Sequence, residues 1–341
     1  MGLACGGRED SRQDADAADG RTACNDDPFT AVVGMSPAIV QVVERLRRAA
    51  PLAVHVLLTG PSGVGKTLLA HAMHMASARR AARFVEVRCT MIPQSLLEGD
   101  LFGIDLSGHS AALGGSTDGN VTVAEGGTLF LDEVSALPMA AQAKLLQLLR
   151  DNTYRRLGGT QVRQANVRVV AATNVNLHAA VIENRFREDL YDRLRVLETS
   201  VPTLTERTED LLLLSLHFLA QASERHQLLR MPLSPRALQA IQLASWPGNV
   251  RELANRMESA AIQAHLRGTG WIEDTDIFPG EPSRQDHGME SLHDATRRFQ
   301  RKHVLGVLTA TDWNVAETAR VLEISRSHLY NLIRTFELKR E

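Results

Sequence analysis

The chain has 341 residues, enough for two or three domains, with 44% hydrophobic and 23% charged residues and a net charge of −2. That is a globular composition with ample core material, and its charge balance excludes a protein that coats polyanions over its whole surface while leaving room for a local basic face. Three cysteines, Cys5, Cys24 and Cys89, form no CxxC pair and exclude a disulfide framework or a cysteine-held metal, which points to a reduced, intracellular setting.

Residues 1 to about 28 are rich in Gly, Ala, Asp and Arg without apolar periodicity and are expected to form a disordered tail. They lack the charged start and apolar stretch of a secretory signal. The longest apolar run, Leu211 to Leu219, is broken by Ser215 and His217 and is too short for a membrane span. No membrane association is expected, and the cytoplasm is the default location. No receiver or sensory module fits into these first residues, so regulation is expected to come from a separate partner, a ligand or the expression level.

From Phe29 to about residue 205, short apolar runs alternate with helical patterns. Val54–Thr59, Phe84–Val87, Thr128–Leu131 and Val167–Ala172 read as strands, and a weaker run covers Val196 to Val201. This alternation predicts an α/β domain, a mostly parallel sheet with helices on both faces. Residues 206–270 read as helices only, with Ser234-Pro235 as a capped helix start. Gly268, Gly270, Pro279, Gly280 and Pro282 mark a linker over 271–289. From Glu290 to the end the pattern is helical again.

Two motifs carry chemistry. Gly60-Pro61-Ser62-Gly63-Val64-Gly65-Lys66-Thr67 matches GxxxxGK[ST], directly after a strand and opening a helix. Its glycines let backbone N–H groups converge on phosphate oxygens at a helix N-terminus. Lys66 is expected to reach the β- and γ-phosphates of ATP, and the Thr67 hydroxyl to bind Mg²⁺. Leu129-Phe-Leu-Asp132-Glu133 places two carboxylates at the end of a buried strand, where open α/β sheets bind ligands. Asp132 would hold the metal through water, and Glu133 would act as general base on the attacking water. His71 and His74 share a helix face, but no third ligand completes a metal site around them.

The stretch Gly126-Gly-Thr-Leu-Phe-Leu-Asp-Glu133 closely resembles the Walker B segment of the AAA+ domain in sigma-54-dependent activators, the bacterial enhancer-binding proteins. Val170-Ala-Ala-Thr-Asn174 resembles that family's sensor I, which implies that Asn174 reads the γ-phosphate state. Phe186-Arg187-Glu-Asp-Leu-Tyr-Asp-Arg193-Leu resembles its arginine-finger segment, which implies that Arg187 and Arg193 act on a neighbouring subunit's nucleotide in a ring. A surface pairing of these arginines with Glu188, Asp189 or Asp192 is the plainer alternative. Trp246-Pro-Gly-Asn-Val-Arg251-Glu-Leu resembles its sensor II, with Arg251 contacting nucleotide from a helical lid. The resemblance covers about Phe29 to Ala261.

Two departures stand out. After the landmark Leu101-Phe-Gly103, the family carries GAFTGA, the loop that touches the sigma factor; this chain has Gly108-His-Ser-Ala-Ala-Leu113. Arg88 occupies a strand end where the family usually has Asn, and it could pair with Glu133 or point to solvent.

Residues from about Ser291 resemble the Fis-type helix-turn-helix. A long helix, about His293 to Thr309, is expected to carry dimer contacts, and Val315–Leu322 is the first helix of the motif. Ser325 caps a recognition helix over Arg326–Phe336, whose outer face offers Ser327, His328, Tyr330, Asn331 and Arg334. Asn331 and Arg334 suit base edges, and Arg326 suits phosphate. From Glu290 onward nine Lys/Arg face seven Asp/Glu, a net of +2. The partners so implied are duplex DNA at a palindromic site, copies of this chain as dimer and ring, and sigma-54 RNA polymerase. The alternative is an ATP-binding, DNA-bound regulator that acts without sigma-54.

Overall fold

The computed structural model describes residues 27–105, 116–279, 292–336 and 338. It divides into two compact units, one ending at Ile277 and one beginning at Phe278. The sequence-expected tail and the segment Gly108–Leu113 lie outside the described residues, apart from the tail's last two.

In chain order the first unit contains α1 (Pro37–Ala49), β1 (Val56–Thr59), α2 (Lys66–Met75), β2 (Phe84–Arg88), α3 (Gln94–Phe102), α4 (Asn120–Val123), β3 (Thr128–Asp132) and α5 (Met139–Asp151). A two-residue hairpin of β4 (Thr153–Tyr154) and β5 (Arg163–Gln164) follows, then β6 (Arg168–Thr173), α6 (Leu177–Ile182), α7 (Glu188–Leu194) and β7 (Glu198–Ser200). The main sheet has the order β2-β3-β6-β1-β7, and all of its pairs are parallel.

Strand alternation sorts the side chains into two cores. Val56 and Leu58 of β1, Phe130 of β3 and Val170 and Ala172 of β6 pack with α1 and α2. Leu57, Leu129, Leu131, Val169 and Ala171 face the other way, against α3, α5, α6 and α7. All of these strand residues are fully buried, which is why the strands read as unbroken apolar runs. Each contributes roughly 1.5–3 kcal/mol of transfer free energy, somewhat less for the alanines.

The first strand begins two residues later than the sequence suggests. Val54 and His55 are diverted from the ladder: the Val54 carbonyl accepts from Arg168 Nε at 3.2 Å, and His55 Nδ1 accepts the Val169 N–H at 3.3 Å. Arg168 also donates to the carbonyls of Ala49 and Ala50 at 3.0 and 2.7 Å. A buried cation thus closes the C-terminus of α1, where unpaired carbonyls favour positive charge. Burial pushes its pKa down to about 10.

The rest of the unit is helical: α8 (Asp210–Arg225), α9 (Pro235–Leu243), α10 (Asn249–Arg267) and α11 (Asp274–Ile277). The Ser234 hydroxyl accepts the Ala237 N–H at 3.1 Å and so caps α9. The expected linker is corrected at its start. Ile272 bridges to Leu233, and α11 packs on α9 and α10, so the lid runs through Ile277. Ile272 and Ile277 are buried there, a pair of apolar side chains that glycine and proline on either side obscured.

The second unit is α12 (Leu292–Ala310), α13 (Val315–Val321) and α14 (Arg326–Thr335). Val304, Leu308, Ala319, Leu329 and Phe336 form its core. Asn314 caps α13 by accepting from the N–H groups of Ala316 and Glu317.

Candidate nucleotide site and recognition helix

The phosphate loop leaves β1 at Thr59 and turns into α2 at Lys66. Gly65 stands at the helix N-cap with φ +106°, a conformation side chains rarely adopt, and no side chain caps the first turn. The α2 N–H groups are therefore open to an anion. Lys66 is 6% exposed, and its ammonium donates to the carbonyls of Gly60 and Pro61 at 2.7 and 3.1 Å. It lies 3.6 Å from Glu133. Burial lowers its pKa, opposed by the charges of Glu133 and Asp132.

Glu133 follows β3 in the left-handed region, φ 57°, an uncommon conformation for a residue of this type. That twist aims its carboxylate across the sheet edge, where Oε2 accepts the Asn174 N–H at 2.9 Å. Gly60 in turn donates to the Thr173 carbonyl at 3.2 Å, so the end of β6 ties the loop and the acid together. Asp132 and Thr67 are half-buried, and neither side chain has a hydrogen-bond partner among the described residues. Two free oxygen donors beside a lysine and uncapped helix N–H groups fit a polyphosphate with a hard divalent cation.

Of the two alternatives for Arg88, Glu133 or solvent, the structure shows the second: the side chain is exposed and pairs with Glu86, Nε donating to Oε1 at 2.6 Å. Glu86 holds its pKa above the ordinary arginine value. In β2 the next residue but one projects on the same face, which makes Glu86 the nearer acid.

Helix α10 of the lid returns to the loop through three hydrogen bonds. Arg251 donates from Nη1 to the Ser62 hydroxyl at 3.0 Å, and its backbone N–H donates to the Gly63 carbonyl at 3.2 Å. Asn249 donates to the Ser62 carbonyl at 3.1 Å. A Cβ on Gly63 would sit 2.2 Å from the Gly248 carbonyl, so only glycine permits the approach.

Arg187 precedes α7, and its guanidinium lies on Asp189 at 2.9 and 2.7 Å, holding that carboxyl below its usual range. Its backbone N–H donates to the buried Gln142 at 2.9 Å, which fixes the main chain. Arg193 is exposed and donates to the Leu149 carbonyl at 3.1 Å. Within one chain the plainer pairing thus describes Arg187, whereas Arg193 takes a helix-end carbonyl and no carboxylate.

Sequence reasoning missed three polar anchors. Asn249 is buried with φ 53°, and its oxygen accepts the Leu204 N–H at 2.9 Å. Arg207 is buried and donates to the Val64 carbonyl at 3.0 Å. Asp210, fully buried, accepts the N–H groups of Met35 and Ser36 and the Ser36 hydroxyl at 2.7–2.9 Å. The Gly-Asn pair at 248–249 was the one visible signal, since asparagine tolerates the left-handed region.

In the second unit Ser325 caps α14, its hydroxyl accepting the His328 N–H at 3.1 Å. Leu329 turns inward, while Arg326, Ser327, His328, Tyr330, Asn331 and Arg334 are all exposed. These polar side chains form one free face, as their spacing predicted.

A helical lid that closes on a phosphate loop defines an AAA+ nucleotide-binding domain. Comparison with known proteins agrees from residue 32 to residue 335. The sigma-54 interaction domain matches residues 32–200, the AAA+ ATPase lid domain residues 205–292, and the Fis family of bacterial regulatory proteins residues 296–335. The nitric oxide reductase transcription regulator NorR2 of Cupriavidus necator is 40% identical over 94% of this chain and 66% of its own length. The transcriptional regulatory protein GlrR of Escherichia coli is 36% identical over 90% of this chain and 68% of its own. The crystal structure of NtrX from Brucella abortus in complex with ATP superposes with a TM-score of 0.67 at 32% identity, covering 90% of this chain and 69% of that one. The chain thus spans about two thirds of the length of these relatives. It belongs to the sigma-54-dependent bacterial enhancer-binding proteins, DNA-binding AAA+ regulators that end in a Fis-type helix-turn-helix. Among the described residues no helix is long and apolar enough to cross a membrane.

Proposed function

We propose that this chain hydrolyses ATP in a ring of its own copies while bound to duplex DNA, and uses the hydrolysis to remodel sigma-54 RNA polymerase. The observation that carries the catalytic part is Glu133, held between the Asn174 N–H and the Lys66 ammonium at the end of β3. A general base needs that kind of fixed position beside the γ-phosphate. The ATP complex of a relative with the same fold supports the choice of nucleotide.

In this reading Lys66 moves from the carbonyls of Gly60 and Pro61 to the phosphates, and the residues from Pro61 to Gly65 supply N–H donors. Thr67 and Asp132 would hold Mg²⁺, which would neutralise charge on the phosphate oxygens. Asn174 reports the γ-phosphate to Glu133, because one backbone N–H already links them. Arg251 carries the nucleotide state to the lid. Arg187 and Arg193 leave Asp189 and Leu149 for the neighbouring subunit's nucleotide, where a guanidinium stabilises the transferring phosphoryl group. On DNA, Arg326 contacts phosphate, while Ser327, His328, Asn331 and Arg334 meet base edges. Pairing of two copies through α12 spaces two such helices one turn of DNA apart, on a palindromic site.

A second reading, regulation without sigma-54, is favoured by one feature of the sequence. Gly108-His-Ser-Ala-Ala-Leu113 lacks the Phe-Thr pair of the family's contact loop. ATP-dependent open-complex formation by purified sigma-54 RNA polymerase separates the two. Promoter melting that requires hydrolysis supports remodelling. ATPase activity and specific DNA binding without melting establish the second reading.

A further inference from the structure

The first turn of α5 carries Gln142, a polar side chain that is 0% exposed. An amide buried that deeply is tolerated only when its polar atoms are paired. Nε2 donates to the Leu137 carbonyl at 2.8 Å and to the Arg185 carbonyl at 3.1 Å, and Oε1 accepts the Arg187 N–H at 2.9 Å. All three partners are main-chain groups with fixed roles. Turning the amide over would set its oxygen against two carbonyls and its NH₂ group against an N–H, so the partners settle its orientation.

The two ends of this bridge belong to different parts of the proposed reaction. Leu137 closes the short turn that follows Glu133. In that turn the Ala136 N–H donates to the Glu133 carbonyl at 3.0 Å and the Leu137 N–H to the Val134 carbonyl at 3.2 Å. The turn is held by its own bonds and serves as a frame. Arg187 is the N-cap of α7, with extended backbone at φ −77° and ψ 133°. The N–H groups of Arg185 and Phe186 both go to the Ala180 carbonyl, at 2.9 and 3.1 Å, whereas that of Arg187 goes to Gln142.

We propose that Gln142 is the positioning residue of Arg187. It fixes the arginine's main chain to the frame that carries its own subunit's Glu133, so the guanidinium reaches a neighbouring subunit's nucleotide from a set place. The inference rests on the arginine-finger reading above. Glu133 serves one site and Arg187 the next, and one buried amide sets the spacing between them.

The test uses Q142M, which keeps the length of the side chain and removes its hydrogen bonds, in the full chain at a concentration that permits assembly. A misplacement of about 1 Å costs on the order of 10²-fold, so kcat for ATP hydrolysis should fall roughly 10- to 100-fold. KM and the binding of a fluorescent ATP analogue should stay within about twofold, because the subunit's own pocket is intact. Mixing distinguishes this from a structural defect. K66A subunits, expected to bind no nucleotide, keep Arg187 and should restore turnover to Q142M, as they should to R187A. Q142M mixed with R187A should stay inactive. Unchanged kcat in Q142M would overturn the proposal. So would an inactive Q142M that K66A does not rescue although R187A is rescued, because the amide would then serve its own subunit's site or the fold. Hydrogen exchange on the unaltered chain needs no variant. The Arg187 amide should exchange at least about tenfold more slowly than the Glu188 amide, which opens a helical turn without intrahelical partners. Equal rates would overturn the proposal. An unaltered chain without ATPase activity, or R187A unrescued by K66A, would overturn the arginine-finger reading and this inference with it.

Discussion

The Asn249 side chain joins the lid to the nucleotide domain from both of its ends: its nitrogen donates to the Ser62 carbonyl at 3.1 Å, and its oxygen accepts the Leu204 N–H at 2.9 Å. Asn249→Ala would leave the buried Leu204 N–H and the part-buried Ser62 carbonyl without this partner and force alanine into φ 53°. The expected cost is about 2–4 kcal/mol. Asn249→Gly should recover part of that, because only the backbone strain is relieved. Urea midpoints of the two variants check the order; equal midpoints would show that the conformation contributes nothing.

Lys66→Ala should abolish nucleotide binding while leaving sequence-specific DNA binding mostly intact. The lysine belongs to the first compact unit and the recognition helix to the second. Calorimetric titration with nucleotide and a mobility-shift assay on the same preparation check it. Equal loss of both would contradict the modular organisation.

ATPase turnover per subunit should rise with protein concentration, and Arg187→Ala should remove activity in mixed assemblies. In the single chain Arg187 rests on Asp189, and in the proposed ring its guanidinium would serve the neighbouring subunit's nucleotide. The removal of such a guanidinium typically costs about 10³-fold or more in rate. Concentration-independent turnover by a monomer would defeat the assignment.

Acid should destabilise the first unit through His55. Burial, aided by the nearby Arg193 charge, depresses its pKa to about 4. The unfolded chain therefore binds a proton between pH 6.5 and 4 that the folded chain does not. Stability is full above pH 6.5, falls as pH drops toward 4, and levels off below. The loss reaches about 3 kcal/mol at most. His55→Gln should flatten this part of a thermal-unfolding profile against pH; an unchanged slope would assign the acid sensitivity to other groups.

The parallel sheet was legible because its three central strands, β1, β3 and β6, are buried on both faces and carry unbroken apolar runs. The phosphate loop and the Asp132-Glu133 strand end were legible because their chemistry demands a fixed spacing. What stayed hidden were polar residues that act through folded geometry. Arg168 looks like any charged residue near a strand start, yet it closes α1 from more than a hundred positions away. Asp210 looks like an acidic helix start, yet it binds the chain before α1. The Arg88 question turned on which carboxylate lies nearer, and spacing along a chain does not encode that. The Ser325 cap and the outward face of α14 were legible because both depend on neighbours within two helical turns.

The contact between Gly63 and Gly248 has a kinetic consequence. An exposed side chain can swing aside in picoseconds to nanoseconds, but the main-chain bond from Arg251 N–H to the Gly63 carbonyl and the close approach of Gly63 to Gly248 release when the 19-residue α10 moves as a body. Such collective motions fall in microseconds to milliseconds. In the proposed cycle the departure of spent nucleotide would be paced by that helix, and each subunit would keep a short memory of its last turnover.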